Sequence, residues 1–373
     1  MLIYYLSHSK IPSQFANSVN VMKMCNAFVH NGHTVVLFAK QGLDSSGQDD
    51  FKYYGVAPSF RIQKIKLINH KIIGAIKYIL DVVHYIKHSP SPDIFYTRYI
   101  YCASLVTNFK IPIYMEVHQP PQNLLELLLF KRLIKAPSFE RLITISQKLK
   151  EKYRKVFPEL EEKKILVAHD GADAISEHKI NFDNISLLGK GHSLKVGYLG
   201  SLYKGRGIEL ICALARNIPD IDFHVIGGTA KEVKHFKRIT NDLKNIFFYG
   251  YIEPQKCDAY RLKMDILIAP FQKKVAPAGN KGNIAGYSSP IKLFEYMAAG
   301  KPIISSNLPT MTEFLKDGED AFLVDSENIT AWKKALAQCR DKGLRDRLGK
   351  NARQKLSEHY TWQARAAKVI LKG

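Results

Sequence analysis

The stretch SSPIKLFEYMAAGKPIISSN, residues 288–307, decides how this chain is interpreted. Ser288, Ser289 and Pro290 offer an N-cap and a proline for a first helical turn. Residues 291–299 are good helix formers, Gly300 is typical of a helix C-terminus, and an apolar strand follows. The pattern therefore predicts a loop, a helix and a strand.

The start of this helix is predicted to bind an anion, because free backbone N–H groups and the positive end of the helix dipole meet there. Lys292 lies in the first turn and Glu295 lies one turn later. The cation and the N–H groups would hold phosphate oxygens, while an ionised Glu295 would accept hydrogen bonds from two ribose hydroxyls. A nucleoside diphosphate suits this combination. The alternative is an ordinary surface helix of an α/β domain.

Size and cysteine content suggest a two-domain intracellular protein. The chain has 373 residues and 46% hydrophobic content, enough for two cores. Its five cysteines include no CxxC pair, which argues against a disulfide framework or a zinc site. Because the sequence shows neither a secretory leader nor a transmembrane stretch, we expect a cytoplasmic protein.

The charge is strongly positive and unevenly distributed. Lys and Arg number 55 against 34 Asp and Glu, for a net charge of +21. Residues 52–155 alone hold 18 basic and 6 acidic residues. Such an excess indicates a negatively charged partner, which is nucleic acid, anionic lipid or a phosphorylated substrate.

The N-terminal segment predicts a βαβ unit. Leu2–Leu6 has the pattern of a buried strand, a loop follows, residues 19–30 suit a helix, and Val35–Phe38 forms the next strand. A right-handed crossover then gives a parallel sheet, with ligands at the carboxyl ends of its strands. No GxGxxG occurs, which disfavours a dinucleotide site. Asn17 and Ser18 at the helix start are candidates for a ligand site, or simply an N-cap.

Two later strands end in candidate functional residues. Asp93–Arg98 ends in an arginine, and Ile111–Val117 is followed by His118. Arg98 is a candidate for contacting the charge of an acceptor. His118 is either a catalytic residue or a structural histidine. The segment from Lys64 to Lys87, which precedes these strands, is predicted to form an amphipathic helix.

Residues 123–136, NLLELLLFKRLIKA, combine many leucines with Lys131, Arg132 and Lys135. As an exposed helix this segment would lie on an anionic membrane, with its apolar side among acyl chains. The alternative is a core helix with a basic edge.

The second half repeats the α/β pattern after a polar linker around residues 175–193. A strand at 195–199 leads into the loop GSLYKGRG, residues 200–207, and then a helix at 208–216. Its glycines permit close backbone approach, and Lys204 or Arg206 can meet a diphosphate. The run 220–222 resembles a DxD metal motif, but because it precedes a strand we interpret it as a turn and expect no bound metal.

The stretch at 288–307 closely resembles the nucleotide-sugar signature of the GT4-type glycosyltransferases of the GT-B fold. That signature usually reads Glu, seven residues, Glu, then Ala-Met-Ala-Cys/Ala-Gly-Lys-Pro-Val-Ile. Glu295 matches the second Glu, whereas Tyr287 stands at the position of the first. The loop at 200–207 is similar to the family's glycine loop, with Ser201 in place of an arginine. Residues 169–173, HDGAD, resemble its pre-hinge turn.

This resemblance implies an α/β protein with two Rossmann-like, doubly wound parallel-sheet domains facing across a cleft. Residues 1–185 would form the acceptor-side domain and residues 190–357 the nucleotide-sugar domain. A C-terminal helix, about residues 358–373, would pack back on the first domain.

The resemblance also implies a retaining, metal-independent hexosyltransferase. It would move a sugar from a nucleoside-diphosphate sugar to a saccharide or lipid-linked saccharide in surface polysaccharide or glycolipid biosynthesis. The donor would be a substrate and no further cofactor is expected. The expected partners are this donor, the acceptor and an anionic membrane at the inner face of the plasma membrane, without nucleic acid.

The implied site residues fall into three groups. The catalytic candidates are His118, Lys204, Lys292 and Glu295. Those expected to bind the nucleotide sugar are Asn17, Ser18, Gly200, Ser201, Arg206, Gly228, Tyr251, Ile252, Tyr287, Ser289, Pro290, Ile291 and Leu293. Arg98, Lys131 and Arg132 are expected to contact the acceptor.

Three alternatives remain open from the sequence. A sugar-nucleotide epimerase of the same fold would act without an acceptor. A non-catalytic sugar-nucleotide sensor is suggested by Tyr287. A nucleic-acid-binding protein is suggested by the charge, although interleaved aromatic and basic motifs are missing.

Overall fold

The computed structural model describes residues 1–42, 49–66, 68, 70–182, 185–189, 194–276 and 282–371. The chain divides into two compact units. The first consists of Met1–His169 together with Trp362–Gly373, and the second is Asp170–Thr361.

The described part of the first unit is built on a seven-stranded sheet in which all pairs are parallel. The strands are β1 Leu2–Ile11, β2 Thr34–Gln41, β3 Arg61–Ile65, β4 Ile94–Thr97, β5 Ile113–Val117, β6 Phe139–Thr144 and β7 Ile165–Val167. Their order in the sheet is β3-β2-β1-β4-β5-β6-β7. The helices between them are α1 Ala16–His30, α2 Asp50–Tyr54, α3 Lys71–Lys87, α4 Ile100–Val106, α5 Leu124–Ile134 and α6 Gln147–Val156. The strand order reverses direction at β1 and β4, which is where doubly wound sheets bind ligands.

The described part of the second unit holds a six-stranded, all-parallel sheet in the order β10-β9-β8-β11-β12-β13. Its strands are β8 Leu194–Leu199, β9 Ile221–Ile226, β10 Ile246–Gly250, β11 Ile266–Ala269, β12 Ile303–Ser306 and β13 Phe322–Val324. Its helices are α7 Ile208–Asn217, α8 Ala230–Ile239, α9 Pro254–Leu262, α10 Ile291–Ala298, α11 Ile329–Gln338 and α12 Lys342–His359. The predicted fold class of two parallel-sheet α/β domains is confirmed.

Both sheets are apolar because parallel strands are covered on two faces. All four residues of β11 are buried, and β9 is buried throughout, including Asp222 and His224. The interpretation of residues 220–222 as a turn is therefore wrong for Ile221 and Asp222, which belong to β9. Asp220 lies outside the strand and forms an ion pair with Arg340.

The structure corrects three element predictions in the first unit. β1 continues to Ile11, because its pairing with β2 resumes at Lys10 after an irregularity. The segment from Lys64 to Lys87 is not one helix, since its first residues belong to β3 and α3 begins at Lys71. α1 begins at Ala16, so Asn17 and Ser18 lie inside its first turn.

α13, Trp362–Ile370, belongs to the first unit and packs against α1. Its Arg365 donates from Nε to the carbonyl of His169 at 2.8 Å.

The division between the units falls after His169, whereas the sequence analysis placed a polar linker around residues 175–193 and ended the first domain at residue 185. The intervening segment packs with the second unit. The N–H of Ala172 donates to the carbonyl of Tyr360 at 3.1 Å, and Ala172 and Ile175 are buried in the core of that unit.

α5 is neither a fully buried helix nor an exposed one. It buries Phe130 and Leu133 against the unit, but Leu124, Leu125 and Leu128 are 69%, 55% and 53% exposed. Across the described ranges, every helix is too short or too polar to cross a membrane.

Candidate functional site

The start of α10 differs from the sequence prediction in its cap. Pro290, not Ser288 or Ser289, is the N-cap residue, and no side chain caps the helix. The hydroxyl of Ser289 instead accepts a hydrogen bond from the backbone N–H of Asp170 at 3.0 Å. Ser289 thus binds the backbone at Asp170, where the chain enters the second unit. The backbone N–H groups in the first turn of α10 therefore have no side-chain cap.

Lys292 projects from this first turn into the sheet edge. Its Nζ is buried, has no hydrogen-bond partner in the described protein, and lies 3.7 Å from the ring centroid of Tyr198. A Cβ added at Gly200 would come within 2.4 Å of this Nζ, so a side chain there would displace the end of Lys292. Burial, reinforced by the charge of Arg206, holds the pKa of Lys292 well below its usual range. The start of α10 therefore holds a buried amine that is not paired with a described carboxylate.

Arg206 is the second cation at this edge. Its guanidinium lies 5.5 Å from the ring centroid of Phe271, and Nζ of Lys292 lies 5.3 Å from the same centroid. Nε of Arg206 is buried without a partner, and burial lowers the pKa of this guanidinium. Two cations thus share one aromatic ring, and neither forms an ion pair with a described carboxylate.

The loop at 200–207 reaches this position because of two glycines with positive φ. An added Cβ would lie 1.9 Å from the carbonyl oxygen of Lys274 at Gly205, and 1.9 Å from that of Pro270 at Gly207. Of the other loop candidates, Lys204 is exposed, and Ser201 accepts a hydrogen bond from the Tyr198 hydroxyl through its carbonyl at 2.6 Å.

Glu295 has a partner that the sequence analysis missed. Its Oε2 lies 2.5 Å from Nη2 of Arg261, a buried residue of α9 that also lies 2.5 Å from Asp258. Although burial opposes its charge, Glu295 and Asp258 raise the pKa of Arg261. The one sequence signal for an ion pair at Arg261 was its spacing of three residues from Asp258 on a helix. The ion pair thus orients the carboxylate while its side chain stays 27% exposed.

The other candidates of the second unit lie near the carboxyl ends of its strands or around the start of α10. Gly228 follows β9, and Tyr251 and Ile252 follow β10. The two strand ends are joined by a hydrogen bond from Gly227 N–H to Gly250 O at 2.7 Å. Tyr287 is half-buried, which raises the pKa of its phenol, and Leu293 belongs to the core rather than the surface.

In the first unit, His118 is held by a carboxylate that the sequence analysis did not select. Glu116 is fully buried at the end of β5, and its Oε1 lies 2.5 Å from Nε2 of His118. Nη2 of Arg365 lies 2.9 Å from Oε2, which also accepts a hydrogen bond from the Tyr96 hydroxyl. Burial raises the pKa of Glu116, but Arg365, His118 and Arg98 outweigh this and hold it well below its usual range.

Arg98 belongs to the same cluster. Its Nε lies 3.6 Å from Glu116 and its Nη1 donates to Asn20 of α1 at 2.7 Å. Near the start of α1, Ser18 is buried and donates to Phe15 O at 2.7 Å, and Oδ1 of Asn17 is buried without a partner. The structure therefore brings Arg98 and His118 together around Glu116.

Lys131 and Arg132 are not part of that cluster. Both are exposed in the last turn of α5, at the opposite end from its N-cap Asn123.

Comparison with known proteins relates much of the second unit to one protein family. Residues 183–355 match the model of the family Glycosyl transferases group 1. Over 131 residues, 35% of the chain, the protein is 28% identical to a putative teichuronic acid biosynthesis glycosyltransferase, TuaH, of Bacillus subtilis, 31% of whose length is covered. The chain spans less than half the length of the curated relatives it matches.

Solved structures resemble the whole chain. The Anabaena protein Alr3699/HepE in complex with UDP superposes with a TM-score of 0.70 at 14% identity, covering 99% of this chain and 98% of that one. Sucrose-phosphate synthase from Thermosynechococcus elongatus gives a TM-score of 0.72 at 15% identity, with 99% and 97% covered. Residues 183–355 therefore form a glycosyl transferases group 1 domain, in a chain that has the two-domain fold of the GT-B glycosyltransferases.

Proposed function

We propose that the protein is a retaining glycosyltransferase of the GT4 type. It transfers a hexosyl group from a nucleoside-diphosphate sugar to a saccharide or lipid-linked saccharide, in the synthesis of a surface polysaccharide or glycolipid. The support is chemical, because two buried cationic side chains without a described anionic partner lie where α10 begins.

That observation carries the proposal. Nζ of Lys292 and Nε of Arg206 are buried polar atoms without partners beside an uncapped helix start. Buried charges are normally paired, because an unpaired one is strongly disfavoured. The β-phosphate of a nucleotide sugar supplies the missing negative charge, and its charge grows as the glycosidic bond breaks. The two cations and the helix N–H groups would stabilise it electrostatically, so this mechanism does not require a divalent metal.

Glu295 completes the donor site on the same helix. An ionised carboxylate only accepts hydrogen bonds, which matches a pair of ribose hydroxyls. Arg261 supports this role, because its ion pair fixes the carboxylate in one orientation. The base would contact the backbone at Tyr251 and Ile252, which follow β10.

His118 would act on the sugar side. The buried Glu116 fixes the orientation of the imidazole through Nε2. In the same-face mechanism implied by the resemblance, the leaving phosphate takes the proton of the acceptor hydroxyl, the new glycosidic bond forms on the face that the diphosphate leaves, and His118 hydrogen-bonds the sugar.

The acceptor is proposed to be associated with a membrane. The exposed Leu124, Leu125 and Leu128 of α5 precede the exposed Lys131 and Arg132, so apolar and cationic surface occur on one helix. Such a helix lies on an anionic bilayer rather than across it.

A nucleotide screen followed by a turnover assay tests the function. Thermal-shift measurements with UDP, GDP and ADP and their sugars identify the donor, and release of the nucleoside diphosphate is then followed with a crude lipid and polysaccharide extract. We expect stabilisation by one diphosphate and extract-dependent release, with both strongly reduced in Lys292→Met and retained in Lys334→Met, an exposed control on α11. Absence of any nucleotide effect would rule the function out.

The finer parts of the proposal have separate tests. Proton NMR of the product gives the anomeric configuration, and an inverted product excludes retention. Loss of turnover in chelator that only a divalent ion restores would exclude metal independence. Donor conversion without an acceptor would indicate an epimerase, and steeply salt-dependent DNA or RNA binding would indicate a nucleic-acid-binding protein.

Flotation with anionic liposomes tests the membrane proposal. Neutralising Lys131, Arg132 and Lys135 with glutamine should move the protein out of the liposome fraction. A matched triple change on α6, at Lys152, Arg154 and Lys155, should not. Equal flotation of both variants would contradict a role for α5.

A further inference from the structure

The carboxyl end of β1 contains a bulge that brings two lysines together. β1 pairs with β2 in register as far as Leu6 and Phe38, and the pairing resumes at Lys10 opposite Lys40. Residues 7–9 of β1 therefore face a single residue of β2. Bulges often occur beside functional sites, because they change the direction of a side chain. Here the bulge places two like charges on neighbouring strands, an arrangement that is destabilising by itself.

Lys40 and His8 meet at one aromatic ring. Nζ of Lys40 lies 5.2 Å from the ring centroid of Tyr78 and 5.7 Å from that of Tyr99. The ring of His8 lies 5.1 Å from the ring of Tyr99, which directly follows Arg98. At the carboxyl ends of β1, β2 and β4, basic side chains thus lie around the aromatic rings of Tyr78 and Tyr99.

The negative charges nearby are already engaged. Glu116 contacts Arg98, His118 and Arg365, and Glu126 accepts a hydrogen bond from the backbone N–H of Gln122 at 2.8 Å. Lys10 and Lys40 form no ion pair with any carboxylate in the described ranges. Desolvation, followed by the charges of Arg98, Lys40 and His118, lowers the pKa of His8 to about 4, although part of this residue is solvent-exposed. The edge has an uncompensated positive charge.

We infer that Lys40, with Lys10 and His8, forms a subsite for an anionic group of the acceptor, a carboxylate or a phosphate carried on the saccharide. This inference rests on the proposed function and specifies its substrate class. A sugar ring packs against the half-buried Tyr99, while an anion beside it pairs with the two lysines and accepts a hydrogen bond from the imidazole. An anionic acceptor would thus explain why Lys10 and Lys40 lie opposite each other, whereas a neutral acceptor would not.

Direct binding tests the subsite without the donor. Saturation-transfer NMR is recorded with methyl glucuronide, glucose 6-phosphate and methyl glucoside. We expect transfer to the glucuronide or the phosphate at least tenfold stronger than to the neutral glucoside, and whichever responds identifies the anion. Lys40→Gln should abolish the preference, Lys40→Arg should keep it, and Lys155→Gln, an exposed control at the end of α6, should leave it unchanged. No anionic preference in the wild type, including no binding of any probe, overturns the inference.

A transfer assay separates the two proposals. The acceptor extract is divided by anion exchange, and the anionic fraction should accept sugar with a KM at least tenfold higher in Lys40→Gln while kcat changes less than twofold. Transfer to the neutral fraction alone would refute the subsite but keep the glycosyltransferase. Lys40-dependent probe binding without any donor turnover would refute the glycosyltransferase but keep the subsite.

Discussion

Replacing Lys292 with methionine should stabilise the protein and weaken donor binding. The buried Nζ has no hydrogen-bond partner, and a buried polar group in that state costs about 1–3 kcal/mol. Its position 3.7 Å above the ring of Tyr198 recovers part of this, about 1 kcal/mol. Methionine keeps the apolar stem, so we expect the free energy of unfolding of the second unit to rise by up to about 2 kcal/mol. At roughly 2–4 °C per kcal/mol for a unit of this size, the melting temperature should rise by up to about 8 °C.

The pH dependence of this gain has a definite sign. The folded-state pKa of Lys292 is depressed, whereas in the unfolded chain it is about 10.4. Between these values the unfolded state binds more protons, so the destabilisation by Lys292 is largest at low pH and fades as the pH rises towards about 10.4. The advantage of Lys292→Met over the wild type should shrink over the same range.

Thermal unfolding at several pH values, with and without the nucleoside diphosphate, measures both effects. Loss of a charge-assisted contact of about 1.5–3 kcal/mol should weaken nucleotide binding roughly tenfold to a hundredfold. Lys334→Met controls for the loss of a surface charge. A destabilised Lys292→Met, or one that binds the nucleotide like the wild type, would refute the reasoning.

Three further results are expected. Glu116→Gln should lower the free energy of unfolding, measured in urea, by about 3–5 kcal/mol, because Arg98 and Arg365 lose their carboxylate partner. Glu140→Gln, at an exposed position, should change it by less than about 0.5 kcal/mol, and equal effects would contradict a stabilising role for the Glu116 cluster. Gly207→Ala should lower the free energy of unfolding by more than about 3 kcal/mol, because its Cβ would lie 1.9 Å from Pro270 O. Gly318→Ala, which has positive φ but open space, should lower it by only about 1–2 kcal/mol, and similar losses in both variants would show that the contact at Gly207 is relieved. Burial lowers the pKa of His224 to about 4, so the free energy of unfolding should fall as the pH drops from about 6.5 to 4. In His224→Gln the urea midpoint should depend less on pH over this range, and an equal pH dependence in the variant and the wild type would exclude His224 as the cause.

Local patterns predicted much of the second unit. α10, the glycine loop and β8 follow from capping, periodicity and glycine placement within short windows, and the bounds agree to within a few residues. The role of Ser289 was wrong because its hydrogen-bond partner, Asp170, lies 119 residues away in the chain. A local window cannot distinguish a serine that caps a helix from one that binds a distant backbone.

The candidate site could be predicted only in part, because some of its residues pair with partners far away in the sequence. Glu116 and Arg365 are 249 residues apart, and nothing near either one identifies the other. The bulge in β1 was also missed, because the polar run from Ser7 to Lys10 is typical of a loop and becomes a strand only through its pairing with β2. His118 and Arg98 could be selected by strand position alone, whereas the carboxylate that joins them could not.

The first unit is discontinuous in the chain, and this affects its synthesis. Residues 1–169 leave the ribosome long before α13, because the second unit lies between them. At about 5–20 residues per second, the intervening chain takes roughly 10–40 seconds to translate. Throughout that interval Glu116 lacks Arg365, and the face of α1 that receives α13 is uncovered. The first unit therefore becomes complete only after the second unit has been synthesised.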